Sequence, residues 1–566
     1  MEIVINGMKI EAEPEKTILQ VAVHCGIDIP SLCYHSDCNI GASCRVCVVE
    51  CNRRIVPACS TKVAKGMNIV TNSEAAQKAR KINLELLFAQ HQEECDDCVW
   101  NNNCKMLDLA EIYGVKIARF EDRKSHFPRY LFGPIEFDSS KCIDCRNCID
   151  VCRKQSIGYL ELKEREDKTE VSLNKSEDND CIYCGQCIIH CPAGAFESVG
   201  EFEDIEKPFD KEKKVVFQIA PAIRATIGEE FGLHLDGTRA IKKLVASLKE
   251  IGADYVFDVS VGADITTIEE CKEFVERLEK NYLPMITSCC PSWIRFVEFY
   301  YPEFIPNITS VRSPQIILGG IVKEYISKKE NIDMEDISVV SVMPCVSKKH
   351  EAKRKELEIK EGVLPVDSVL TTREVGRLIR NRKINFKEIE EEELDFAFGD
   401  PTATGVSFGT SGGVMQSAIY NISEKRLDFN EIKRGIKEAK IVIDGREIKL
   451  CVVHGLANAR EVLEILKKDP YYYDYIEVMA CPEGCIGGGG QSVPTDKNIR
   501  DKRRELLCNA SSKREKVKAK ESKEVEEVYE KILRTEKSIY KFCHTKYYKA
   551  NKTLIRKSEQ MNKDEK

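Results

Sequence analysis

The sequence predicts a multidomain protein of mixed α/β and α+β class, and three observations carry that prediction. At 566 residues the chain is three to five domains' worth by the usual ~100–200 residues each. Cysteines crowd its first third in separately spaced groups. Beyond about residue 208, apolar β-branched runs alternate with amphipathic helical stretches, the pattern of an α/β domain with mostly parallel sheet.

Composition narrows the class. Hydrophobic residues make up 42% and charged residues 32%, and no apolar run approaches the ~18 residues of a bilayer span, so no membrane partner is expected. The start "MEIVINGMKI" alternates like a strand and carries neither a basic signal region nor a twin arginine, which places the chain in the cytoplasm. A net charge of -7 lends no support to nucleic-acid binding. Twenty-seven cysteines in a reducing compartment are not a disulfide framework; thiolates in such numbers suit soft metals.

Taken in order, residues 1–80 hold "SLCYHSDCNIGASCRVCVVE" and "VPACSTKV". Cys33, Cys44 and Cys47 share a loop and Cys59 closes the set, with "EIVING", "VCVVE" and "RIVPA" as short strands. This resembles the plant-type 2Fe-2S ferredoxin, a β-grasp domain, although the first gap is longer than usual. Four thiols also suit zinc, and Cys38 and Cys51 lie near. Residues 81–130 offer His91, Cys95, Cys98 and Cys104 in "HQEECDDCVWNNNC", which by themselves fit structural zinc as well as a cluster. Residues 131–207 repeat Cys-x2-Cys-x2-Cys-x3-Cys in "CIDCRNCIDVC" and "CIYCGQCIIHC", the run that wraps a cubane and lends its fourth thiol to the sister cluster. One 4Fe-4S cluster then takes Cys142, Cys145, Cys148 and Cys191, the other Cys181, Cys184, Cys187 and Cys152. A row of clusters is an electron-transfer arm, which favours a histidine-ligated 4Fe-4S cluster over zinc in the middle group.

"GEFEDIEKPFDKEKK" has a linker's composition and marks a boundary near residue 208. The strand candidates beyond it are "KVVFQIAP", "DYVFDVSVG", "LPMITSC", "ISVVSVMPC", "LCVVHG" and "YIEVMAC". Ligands of open α/β sheets sit outside the carboxyl ends of strands, so "APAIR", "TSCCPSW", "MPCVSKK" and "MACPEGCIGGGG" meet there. Cys290, Cys345, Cys481 and Cys485 would make four thiolates in one pocket. Successive side chains point to opposite sides of an extended backbone, so Cys289 is left over.

"TSCCPSW", "MPCVSKKHE" and "EVMACPEGCIGGGG" resemble the three signature motifs of the FeFe-hydrogenases. With the cluster series, the resemblance is to the large clostridial-type form and covers nearly the whole chain. It implies a two-lobed catalytic domain over 208–497 holding an H-cluster, a 4Fe-4S cubane bridged to a two-iron unit with CO, cyanide and azadithiolate. The cubane ligands would be Cys290, Cys345, Cys481 and Cys485, the last bridging. Cys289 would exchange a proton with the bridge amine. The accessory clusters would be one 2Fe-2S and three 4Fe-4S.

The same resemblance assigns a proton relay to Glu270, Glu273 and Arg277, one face of the predicted helix "TTIEECKEFVERLEK", continued through Ser313. Without it, three such charges suit a solvated helix face. Lys348 would hydrogen-bond a cyanide, and Pro221, Ala222, Met343, Phe408 and Met479 would wall the two-iron unit; otherwise they read as a surface lysine and core. Gly487 to Gly490 let backbone crowd the cluster, and no Lys-Ser/Thr follows to make a phosphate loop. Ser292, Glu483 and "GDPTATGVSFG" depart from many relatives. None removes a ligand, though a carboxylate beside Cys481 bears on catalytic bias. Residues 498–566 read as a charged helix and a basic, aromatic peptide that in relatives wraps the catalytic domain, with a frayed last dozen residues. Nineteen cysteine ligands and Cys289 leave seven structural thiols, Cys25, Cys38, Cys51, Cys271, Cys451, Cys508 and Cys543.

The expected activity is reversible formation of H2 from protons and electrons, with ferredoxin or a similar carrier as partner and maturation proteins supplying the two-iron unit. Two alternatives stand beside it. The chain could be the catalytic subunit of an NADH-coupled bifurcating complex, and since no nucleotide or flavin motif occurs, partner subunits would be needed. It could instead be a hydrogen sensor, against which the cysteine pair and the relay argue.

Overall fold

The structure, a computed structural model, describes all residues except 92–94, 96, 97, 99, 101–103, 121–128, 166, 167, 175, 211, 212, 396, 397, 554 and 559–566. The chain opens as a β-grasp. Glu2–Ile5 pairs antiparallel with Met8–Glu11 and parallel with Asn68–Val70, and Val48–Cys51 and Arg54–Pro57 complete the sheet. Both hairpins turn on adjacent residues with positive φ, Asn6–Gly7 and Asn52–Arg53, as two-residue turns between twisted strands require. The helix Ile18–His24 packs on this sheet behind a capping box from Thr17 and Gln20.

Helix Glu74–Gln90 is tied to the first sheet by Arg80, fully buried, which donates to the Val48 and Thr71 carbonyls and to Tyr113 Oη. Next, Arg129–Phe132, Ile135–Asp138 and Phe196–Ser198 form a sheet beside the short helices Asn147–Lys154 and Gln186–Ile189, which start just before the third cysteine of each run. The supposed linker is a helix, Phe202–Asp210. Phe202, Ile205 and Phe209 form an apolar stripe that packs into the core of the following sheet, and this outweighs the charged composition.

That following sheet is parallel throughout, in the order Tyr255–Asp258, Lys214–Ile219, Ile337–Met343, Ser368–Thr371. A second sheet runs Met285–Ile286, Tyr475–Met479, Arg446–His454, Ile436–Ile443, Asn430–Lys433, parallel across its first three strands and antiparallel beyond. The expected strand in "DYVFDVSVG" stops at Asp258, whose carboxylate accepts from Ser260 N at 2.9 Å and starts the helix Val259–Glu279.

The last segment runs back across the molecule. After helices Lys497–Ser512, Lys523–Lys531 and Glu536–Cys543, Thr545 N bonds Ser310 O and Ala550 N bonds Glu298 O. Ile555–Ser558 then pairs antiparallel with Arg129–Phe132. The expectation of a frayed terminus is therefore corrected for 555–558, where an open sheet edge takes up the chain; 554 and 559–566 lie outside the described residues. Among the described residues no helix is long and apolar enough to cross a membrane.

Candidate active site

The two sheets aim the carboxyl ends of their parallel strands at each other. Lys214–Ile219 leads into Pro221 and Ala222, Ile337–Met343 into Cys345, Met285–Ile286 into Cys289 and Cys290, and Tyr475–Met479 into Cys481. Between them lies a cavity of about 80 Å³. Cys289, Cys290, Cys345, Cys481 and Cys485 all line it, as do Lys348, Pro221, Ala222, Met343, Phe408 and Met479. Cys290 is the N-cap of the helix Pro291–Tyr300 and accepts from Ala480 N at 3.4 Å; burial raises its thiol above the ordinary value, and the Ala480 amide works against that rise.

These residues fit an iron cubane. Burial pushes the Cys345 and Cys485 thiols up to about 12 and Cys481 well above its ordinary value. Thiols so placed ionise only beside a strong local cation. The glycine run allows the close approach. A Cβ on Gly488 would overlap Pro344 O, and one on Gly489 would overlap Cys184 O.

That last contact joins the arm to the pocket. Gln186 Nε2 donates to Gly487 O at 2.9 Å and Gln155 Nε2 to Ala480 O at 2.9 Å. Cys152, Cys181, Cys184 and Cys187 line their own small cavity, and the charge of Cys290 and Cys345 is felt at Cys184. Cys142, Cys145, Cys148 and Cys191 form the neighbouring group. Amides of Asp144, Tyr159, Tyr183 and Ala195 donate to Cys142, Cys152, Cys181 and Cys191 at 3.2–3.4 Å. In the first domain the Cys33 thiol meets those of Cys44 and Cys59, and Cys47 meets Cys59. For the middle group, His91 Nδ1 lies 2.9 Å from Lys141 O, Trp100 N donates to Cys98 Sγ at 3.4 Å, and Cys104 sits near Cys98. Cys95 is exposed, and much of the intervening loop lies outside the described residues.

Glu270, Glu273 and Arg277, expected to form a relay, do share one helix. Glu270 is fully buried; burial raises its carboxyl to about 8. Its Oε1 has no hydrogen-bond partner, and Oε2 takes one from Tyr475 Oη at 3.2 Å. Burial first, then the Glu270 charge, push the Cys289 thiol well above its ordinary value. One turn on, Glu273 accepts from Thr309 Oγ1 at 2.9 Å and Ser310 Oγ at 2.8 Å and pairs with Arg277 at 2.6 Å.

Ser313 is elsewhere. Its hydroxyl donates to Glu351 Oε2 at 2.9 Å, a carboxylate that also takes Gln315 at 2.7 Å and Lys348 at 2.8 Å. The expectation that it continues the relay is corrected: as N-cap of Pro314–Glu330 it faces the Lys348 side, and Thr309 and Ser310 hold the position by Glu273. Lys348 also donates to Cys289 O at 3.1 Å. Tyr475, Thr309, Ser310 and Glu351 carried no recognisable spacing signal.

A thiol-lined pocket at the ends of parallel strands from two sheets, in contact with an arm of cysteine groups, is the architecture of an iron–sulfur oxidoreductase. Comparison with known proteins narrows it. The family model for the iron only hydrogenase large subunit, C-terminal domain, matches residues 213–489. Models for a 2Fe-2S cluster binding domain, the NADH-ubiquinone oxidoreductase-G iron-sulfur binding region and a 4Fe-4S dicluster domain match 1–74, 80–119 and 141–195. The NADP-reducing hydrogenase subunit HndD of Solidesulfovibrio fructosivorans is 36% identical over 97% of this chain and 99% of its own. Iron hydrogenase 1 of Clostridium pasteurianum is 33% identical over 97% and 100%. A structure of FeFe-hydrogenase HydA1 from Chlamydomonas reinhardtii superposes with a TM-score of 0.55 at 34% identity, over 61% of this chain and 97% of that one. The chain belongs to the iron-only, or FeFe, hydrogenase family. It is an oxidoreductase of hydrogen, built with 2Fe-2S and 4Fe-4S domains.

Proposed function

We propose that the chain interconverts H2 with two protons and two electrons at an H-cluster held by Cys290, Cys345, Cys481 and Cys485. Its arm would pass electrons to or from ferredoxin or a similar carrier through one 2Fe-2S and three 4Fe-4S clusters. The observation that carries this reading is the convergence of five thiols from three separate loops in one apolar cavity, four suited to a cubane and one spare. The group, with its CO, cyanide and azadithiolate ligands installed by maturation proteins, supplies a Lewis-acidic iron for hydride and an amine for the proton.

The chain's own residues do the rest. The apolar wall of Pro221, Ala222, Met343, Phe408 and Met479 keeps water from the two-iron unit. Lys348, fixed by Glu351, presents an ammonium donor to a cyanide. Cys289 holds a proton at Sγ, and Glu270, raised to about 8, stays protonated at neutral pH and can hand its proton on. Glu273, Thr309 and Ser310 continue to Arg277, which is part-buried. Anaerobic expression with maturation should give infrared bands of CO and cyanide and H2 from reduced viologen. Cys289→Ser should keep the bands and lose nearly all turnover; normal turnover would refute the proton role.

The full-length likeness to the subunit HndD favours a second reading, in which this chain is the hydrogen-converting member of a nicotinamide-linked complex. Direct exchange of electrons between the isolated chain and reduced ferredoxin distinguishes the two.

A further inference from the structure

His35, Cys38 and His190 bring their ligand atoms within 4.8 Å of one another, though none of the three serves the cluster groups described above. The first two lie in the cysteine loop of the β-grasp, the third at the end of the helix Gln186–Ile189. His190 is 4% exposed. Its Nδ1–H donates to Gln186 O at 2.8 Å, which leaves Nε2 as the lone-pair nitrogen. That Nε2 is buried with no hydrogen-bond partner. The nearest carboxylate oxygen, Asp37 Oδ2, is 3.7 Å away and beyond hydrogen-bond reach.

The other two groups face the same point. Cys38 is 8% exposed, and its thiol has only a long contact of 4.0 Å, to Asn147 O. His35 donates Nε2–H to Thr495 O at 2.6 Å, so its lone pair is on Nδ1, now 3.1 Å from Asp37 N. A carbonyl behind each imidazole is the outer arrangement that fixes the tautomer of metal-binding histidines. Asp37 is held away by Arg500, at 2.6 and 3.1 Å.

We propose that His35 Nδ1, Cys38 Sγ and His190 Nε2 bind a single zinc ion, with water in the fourth position. Two imidazoles and one thiolate with ligand atoms within 4.8 Å of one another suit this ion, which needs no redox change. Binding replaces the Asp37 amide at His35 and releases the Cys38 proton to solvent. The ion would fasten the β-grasp to the dicluster region and, through Thr495, to the catalytic segment.

The test is metal analysis of the anaerobically prepared, cluster-loaded full chain, in which the cluster thiols are already occupied. About one zinc per chain is expected, lost in His190→Gln and in Cys38→Ser with iron content and the 2Fe-2S and 4Fe-4S spectra unchanged, and kept in Cys25→Ser. Cobalt(II) added to zinc-stripped holoprotein should give a thiolate-to-cobalt absorption that Cys38→Ser abolishes. Iron-replete protein that takes neither zinc nor cobalt, or variants that retain the ion, would overturn the site. Copper found there instead overturns the choice of ion. Loss of the 2Fe-2S spectrum in Cys38→Ser would make Cys38 a cluster ligand and end the proposal.

Discussion

Tyr475 Oη stands 3.2 Å from Glu270 Oε2 and is the one donor to that carboxyl among the described residues. Burial raises Glu270 to about 8, and the tyrosine works against that rise. Tyr475→Phe should therefore move the alkaline limb of the turnover profile upward. A hydrogen bond to a charged group is worth about 1.5 kcal/mol, or about one pH unit. Turnover measured from pH 6 to 10 decides it; an unmoved limb would detach Glu270 from the relay.

The same carboxyl should show in stability. Its folded value, about 8, exceeds the unfolded value of about 4.3, so the folded state binds the extra proton between them. The protonated form's stability is fully present below pH ~4 and is lost as pH rises through ~8. Between pH 5 and 7 the loss is on the order of 2 kcal/mol. Glu270→Gln removes the titration, so its apparent melting temperature should exceed that of the parent at pH 8 and match it near pH 4.5.

Ser313 and Glu273 separate the two versions of the relay. Glu273→Gln should lower turnover by about 100-fold, as loss of a proton-transfer group does. Ser313→Ala should leave it within about threefold, under 1 kcal/mol of barrier, because its hydroxyl goes to Glu351. A large loss in Ser313→Ala with a silent Glu273→Gln would restore the sequence-based order.

Gly489 lies where a Cβ would overlap Cys184 O. Gly489→Ala should cost about 1–3 kcal/mol by overpacking and loosen the joint between the arm and the pocket. Exchange of H2 with deuterons needs no external electrons and should survive. Viologen-driven evolution should slow, and equal loss of both would place the damage in the pocket itself.

Much of this was legible beforehand. The runs "KVVFQIAP", "ISVVSVMPC" and "YIEVMAC" are rich in β-branched and apolar residues and form interior parallel strands, and the thiols that end the last two, Cys345 and Cys481, line the pocket. The candidate "LCVVHG" overlaps the strand Arg446–His454, but its hairpin partner Ile436–Ile443 is absent from the candidates, although Asp444–Gly445, both at positive φ, is a recognisable turn signal. Hydroxyls were the harder case. Which of Thr309, Ser310 and Ser313 meets Glu273 depends on where one loop leaves its strand, and spacing does not encode that. Likewise His35 and His190 lie far apart in sequence and meet only because the β-grasp docks on the dicluster region.

The strand Ile555–Ser558 closes residues 129–558 into a loop, since it adds an edge to the sheet beside the cubane runs. The iron–sulfur arm is thereby stitched to the rest of the chain at both ends, here and where Arg500 holds Asp37. Current through it then depends on fixed gaps between neighbouring iron centres, and whatever carrier exchanges charge with it must come to the far end and leave again.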